Sequence, residues 1–199
     1  MAKRADLKIP YGIADFKRIR NEGWYYVDKT EYIAKLEEGD SFVFFVRPRR
    51  FGKSLFLDML RLYYDRNEKA NFEKLFGGLW IGAHPTENRN RYLVLALDFS
   101  KAGASGGKTL SESFNVYLDK RLGLFAEAYP EVFDLEFRRS IANDDAAAKY
   151  TALVGRAKAA GVPIYLIIDE YDNFTNSLIR STGTEPYRSI THGAGFYRQ

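Results

Sequence analysis

The sequence predicts an α/β fold with a mostly parallel sheet flanked by helices. Three short apolar runs, at residues 41–46, 91–97 and 162–168, carry that reading. Each is continuous rather than alternating, as in strands buried on both faces. Segments with helical spacing lie between them, which is the strand–helix alternation of an α/β domain.

The elements follow in order. Residues 1–40 form an N-terminal segment, in which 30–38 reads as a helix that starts at Thr30 as capping residue and stops before Gly39. Ser41-Phe-Val-Phe-Phe-Val46 is the first strand. A helix is predicted over 53–65, where Leu55, Phe56, Met59, Leu60 and Tyr63 make a stripe that would pack on a sheet. The second strand is 91–97, and Lys101-Ala-Gly-Ala-Ser-Gly-Gly107 reads as a flexible loop. Residues 110–129 and 145–160 read as helices, the latter ending at Gly161 with Pro163 beyond. The third strand, 162–168, runs into Asp169-Glu170. Neither a repeat nor an interdomain linker is visible, and 199 residues fit a single domain, with 41–199 as its core.

Composition excludes several chemistries. The chain has no Cys, which removes disulfide scaffolds, Cys-zinc sites, iron–sulfur clusters and thiol catalysis. Its two His, His84 and His192, are too few for a His-rich metal site. A net charge of +4 is too thin for a dedicated nucleic-acid binder. The apolar runs fall far short of the roughly 20 residues that span a bilayer. With basic residues but no apolar stretch at the start, the chain is expected to be cytoplasmic.

The first strand leads into Arg47-Pro-Arg-Arg-Phe-Gly-Lys-Ser54, and a helix follows at once. A strand, a tight loop ending in Gly-Lys-Ser and a helix form a phosphate-binding loop, because backbone N–H groups and the helix N-terminus supply partial positive charge. Arg49, Arg50, Phe51, Gly52, Lys53, Ser54 and Leu55 would then surround a nucleotide. Lys53 would reach the β- and γ-phosphates, and the Ser54 hydroxyl would hold Mg²⁺. The full pattern wants Gly at position 47, where this chain has Arg. A second copy, Gly107-Lys108-Thr109, also precedes a helix, but its upstream Gly103 is one residue too close. Gly52-Lys53-Ser54 is the favoured loop, and Lys108 reads as an exposed lysine near a helix start. The bland alternative for Lys53 is the same, although the helix dipole disfavours a cation there unless an anion sits nearby.

Asp169 and Glu170 end an apolar strand about 115 residues later. A magnesium-dependent NTPase needs such a pair: Asp169 to hold Mg²⁺ through its water shell, and Glu170 to orient or deprotonate the attacking water. Neighbouring strand residues point to opposite sides, so the pair must sit where the backbone turns. The bland alternative is a buried strand emerging into a polar turn. Asp98, Asp172 and Asn173 are lesser candidates of the same kind.

Six strings carry a resemblance: Ile9-Pro-Tyr-Gly-Ile13, Asp15-Phe16, Tyr25-Tyr-Val-Asp-Lys-Thr30, Arg47-Pro-Arg-Arg-Phe-Gly-Lys-Ser54, Leu97-Asp-Phe-Ser100 and Ile168-Asp-Glu-Tyr-Asp-Asn-Phe174. Over nearly its whole length the chain resembles the predicted AAA-ATPase-like family of bacteria, in which such a module usually precedes a nuclease-like domain of the PD-(D/E)XK type. The Arg at position 47 belongs to that family's own pattern. The resemblance implies a P-loop NTPase fold of the additional-strand, catalytic-Glu type that binds ATP. It carries over Lys53 as loop lysine, Ser54 as magnesium serine, Asp169 as magnesium aspartate and Glu170 as water-activating glutamate. No apolar strand follows Phe174, so the last strands of this fold and the nuclease-like domain are expected to be missing.

Elsewhere the plain readings lead. Arg47, Arg49 and Arg50 would add charge at the phosphates, ahead of a merely solvated basic loop. Trp24-Tyr25-Tyr26 and Tyr63-Tyr64 read as core, and His84 and His192 as exposed turn residues. The leading function is an ATP-binding module, an Mg²⁺-dependent ATPase if complete. The alternative is a non-hydrolysing nucleotide-binding module that regulates a protein partner, a nuclease or defence assembly, or associates with itself. A nucleic-acid-binding domain using the basic loop ranks third.

Overall fold

The computed structural model describes residues 8–46, 48, 50–102 and 109–171. They group into two compact units divided between Val94 and Leu95.

The first unit is helical. It contains α1 (Phe16–Asn21), α2 (Glu31–Glu37), α3 (Lys53–Tyr64), α4 (Phe72–Phe76) and α5 (Trp80–Ala83), with a 3₁₀ turn at Arg66–Asn71. The stripe predicted on α3 is buried most deeply along its second half, at Met59, Leu60 and Tyr63, joined by Leu62 and Tyr64. Phe16 and Ile19 of α1 and Phe76 of α4 complete this core, with Phe16 against both Tyr26 and Phe76 at ring separations of 5.2 and 5.3 Å. Such tilted and edge-on pairs favour one ring arrangement over others. Asp65 ends α3 by turning extended, and its side chain caps the following 3₁₀ turn through Asn67 N–H at 2.9 Å.

Two expectations are corrected here. Thr30 precedes α2 but does not cap it with its side chain. It is fully buried, its hydroxyl donates to Asp28 Oδ1 at 2.7 Å, and it accepts Ile81 N–H at 3.1 Å. Backbone angles that are already helical turn the hydroxyl away from the N–H groups of its own helix. The structure also assigns no strand to 41–46. Phe42, Phe44 and Val46 are 90%, 80% and 79% exposed, while Phe45 stacks on Phe56 of α3 at 4.9 Å. Apolar content makes a segment suited to a strand, but only a neighbouring ladder makes it one.

β1 (Leu93–Asp98) leads into the second unit, which holds a 3₁₀ turn at Phe99–Lys101, α6 (Leu110–Ala128), α7 (Leu135–Ser140), α8 (Ala146–Ala159) and β2 (Ile164–Asp169). The two strands are parallel neighbours, joined by a crossover that contains the three helices. This mixture is consistent with the α/β class. α8 is capped by Asp145 on Ala148 N–H at 2.8 Å and is stopped at Gly161, which takes φ +67°. The Val162 N–H then reaches back to Ala157 O at 3.0 Å, the longer-range bond of a glycine-terminated helix. Lys149, nearly buried on α8, pairs with Asp119 of α6 and so fastens the two helices. Among the described residues, no helix is long and apolar enough to cross a membrane.

Candidate functional site

The candidate loop lies in the first unit. Arg50 and Gly52 both take left-handed backbone angles, φ +66° and +76°, and Phe51 N–H closes a turn on Pro48 O at 3.3 Å. Glycine occupies that region without penalty, whereas arginine carries strain there. Gly52 stands at the N-cap of α3 and has no side chain to offer, and the first turn of the helix contains no acid. The N–H groups of the first turn, from Lys53, Ser54 and Leu55, therefore open a helix that neither a cap side chain nor a first-turn carboxylate neutralises. Lys53, Ser54 and Leu55 are half-buried; Arg50 and Phe51 are exposed. Arg47 and Arg49 lie outside the described residues.

The rival Gly-Lys-Thr triplet looks different. Thr109 caps α6, and Glu112 answers in a full capping box. The Glu112 carboxylate receives Thr109 N–H and Thr109 hydroxyl, both at 2.8 Å, while Thr109 Oγ1 accepts Glu112 N–H at 3.2 Å. A carboxylate already occupies that helix end, so a phosphate would meet like charge. Lys108 is outside the described residues.

The acidic pair lies in the second unit. Asp169 is the last residue of β2, and Glu170 follows with φ +55°. Asp169 Oδ1 accepts Glu170 N–H at 2.9 Å, so the aspartate braces the turn that takes the glutamate out of the strand's alternation. Both are half-buried. Besides Arg50 and Glu170, Asn90 is the other non-glycine residue described with positive φ, and asparagine tolerates that region. Two strained positions thus fall on the two strings the sequence singles out.

Asp98, the lesser candidate, is a turn residue. It ends β1, and its Oδ1 accepts Ser100 N–H at 3.1 Å and Ser100 hydroxyl at 2.6 Å. Lys101 pairs with it at 3.1 Å. Burial alone would raise its pKa, but Ser100 and Lys101 outweigh this and hold the carboxyl below its ordinary range. Asp172, Asn173 and His192 lie outside the described residues. His84 is exposed, stacked on Trp80 at 4.5 Å, with Nδ1 2.9 Å from Trp80 O.

The aromatic readings divide. Tyr63 and Tyr64 are core, at 0% and 2% exposure. Tyr26 packs edge-on to Phe16 and donates to Met59 Sδ at 3.3 Å, and burial pushes its hydroxyl up to about 12. Trp24 is half-buried beneath Lys8 and Arg18, 4.2 and 5.0 Å from the ring centre, and Tyr25 is exposed.

Sequence reasoning passed over two carboxylates. Asp58, one and a half turns into α3, accepts Phe16 N–H at 2.8 Å and pairs with Arg61. Asp28 accepts Thr30 N–H at 2.8 Å and Trp80 N–H at 2.7 Å. Both belong to or touch the strings Asp15-Phe16 and Tyr25-Tyr-Val-Asp-Lys-Thr30. For Asp28, an aspartate placed just before a backbone turn is the local signal for such a role; Asp58, inside a helix, carries none.

A helix opened by Gly-Lys-Ser and a parallel strand closed by Asp-Glu are features of nucleotide-binding α/β proteins. The chain belongs to the predicted AAA-ATPase family, whose model matches residues 10–199. It is 33% identical over 167 residues to a protein of Azotobacter chroococcum described as an uncharacterized protein in the vnfD 5′ region. The match covers 83% of this chain and 29% of that relative, so the chain spans less than a third of its length. No solved structure matches the chain.

Proposed function

We propose that this chain is an ATP-binding module of the predicted AAA-ATPase family and that it supports Mg²⁺-dependent ATP hydrolysis. The observation that carries the reading is the start of α3: Gly52 in the left-handed region, Lys53 and Ser54 next, and neither a capping side chain nor a first-turn acid. Such an end offers backbone N–H groups to a phosphate, and Lys53 adds a full positive charge.

The donor types suit the metal. Mg²⁺ takes most of its ligands from water and phosphate and asks the protein for only one or two oxygens. Ser54 and Asp169 are the residues that would supply them. Among the described residues, no cluster of three His, Asp or Glu forms a protein cage, and this chemistry does not call for one. When bound, the ion would supply charge to the phosphate oxygens. Glu170 would align water for in-line attack, Lys53 would neutralise charge developing on the transferred phosphoryl group, and Arg49 and Arg50 would add positive potential around it.

The test is calorimetric binding of a slowly hydrolysed ATP analogue with Mg²⁺ to the chain and to its Lys53→Ala variant, with a melting curve for each. Binding that disappears in a folded variant supports the assignment. A folded wild-type chain that binds neither ATP nor GTP analogue would overturn it.

A further inference from the structure

Toward its C-terminal end, one edge of β1 is occupied by side chains of α6. In an extended chain the N–H and C=O of alternate residues leave along the same edge. Ala96 and Asp98 therefore share an edge. Ala96 O receives Arg121 Nη2 at 2.7 Å, and Asp98 donates its N–H to the Tyr117 hydroxyl at 2.6 Å. Tyr117 and Arg121 stand four residues apart on α6, so they present neighbouring side chains to the strand. β2, the parallel neighbour of β1, then pairs along the opposite edge.

We infer that Tyr117 and Arg121 guard this edge of the sheet, closing it to strand addition by a second copy of the chain. Left unpaired, the edge at Ala96 and Asp98 would offer a template to identical copies, since the strand leading to it is apolar and free of proline. Apolar side chains on α6 would suffice to pack the helix on the strand. Instead the fold keeps a guanidinium at the edge, although Arg121 Nε is buried with no partner among the described residues. That cost goes with a specific task for the side chain, which is holding Ala96 O.

The test uses the full chain with Tyr117→Phe and Arg121→Met, singly and together. Phe keeps the ring and Met keeps most of the stem, so packing changes little while both edge bonds go. Light scattering across a hundredfold concentration range should show the double variant rising to at least twice the mass of the wild type at the same concentration. In dilute solution its Asp98 amide should exchange at least tenfold faster than in the wild type, and protection should return as the copies associate. Arg156→Met, which removes bonds to Val132 O and Asp134 away from the strand, should leave the mass unchanged. A folded double variant with wild-type mass at every concentration overturns the inference. If the double variant does not fold, Tyr117→Phe alone decides: association that re-protects Asp98 supports the guard, and a monomer whose Asp98 amide stays fast at all concentrations refutes it.

Discussion

Asp58 on α3 accepts the main-chain N–H of Phe16 at 2.8 Å, so the first N–H of α1 is satisfied by the helix that opens with Gly52-Lys53-Ser54. Phe16 itself is fully buried, and Asp58 also holds Arg61 through Nε at 2.9 Å and Nη2 at 2.8 Å. The Asp15-Phe16 string is thereby tied to the candidate loop helix by a bond spanning 42 positions of sequence. Asp58→Ala is expected to destabilise the first unit by about 1–3 kcal/mol, the cost of leaving such a donor without its partner. Urea unfolding followed by tryptophan fluorescence would measure it, and Asp58→Asn should recover part of the loss.

Acid should weaken the same unit through Asp28 and Glu68. Burial pushes both carboxyls up, but hydrogen bonds from Thr30 and Trp80 at Asp28, and from Lys17 and Asn71 at Glu68, outweigh it and lower both pKa values. A carboxyl with a depressed folded pKa contributes stability above its unfolded pKa and loses it as pH falls through the folded one. Stability should therefore hold above about pH 5 and decline below about pH 4. Asp28→Asn and Glu68→Gln, compared in melts from pH 7 to pH 3, should each flatten that decline.

The two Gly-Lys-Ser/Thr triplets should separate cleanly by mutation. Thr109→Ala removes one half of the α6 capping box and should cost about 1 kcal/mol, with nucleotide affinity unchanged. Lys53→Ala should abolish nucleotide binding with little change in melting temperature. The opposite pattern would move the proposed phosphate site to α6.

Glu170 is expected to show opposed effects on stability and turnover. Its φ of +55° is strained for a glutamate, and Glu170→Gly should relieve that strain, stabilising the second unit by up to about 1 kcal/mol. Glu170→Gln keeps the shape but removes the base. Both variants should lower ATP turnover by roughly 10²–10⁴-fold while retaining bound nucleotide. A phosphate-release assay beside thermal melts checks both halves. Turnover at the wild-type rate in Glu170→Gln would leave a nucleotide-binding module that uses another base.

Much of the fold was legible because its signals are local. The helices predicted at 53–65, 110–129 and 145–160 appear as Lys53–Tyr64, Leu110–Ala128 and Ala146–Ala159, and strands form at Leu93–Asp98 and Ile164–Asp169. Apolar spacing, an aspartate before a helix and a glycine after one act within a few residues, so a linear reading finds them. The turn demanded between Asp169 and Glu170 was legible for the same reason, since a strand's alternation allows no other way to bring the pair to one end. Tertiary structure decided what depends on a distant partner. Thr30 gave up its expected cap because Asp28 and Ile81 claim its hydroxyl, and Asp58 acquired a role that its own helix does not announce. Residues 41–46 are as apolar as β1, yet they form no strand, because a strand needs a ladder whose other half is encoded elsewhere in the chain. Sequence determines which segments are able to form an element; long-range hydrogen bonding decides which of them do.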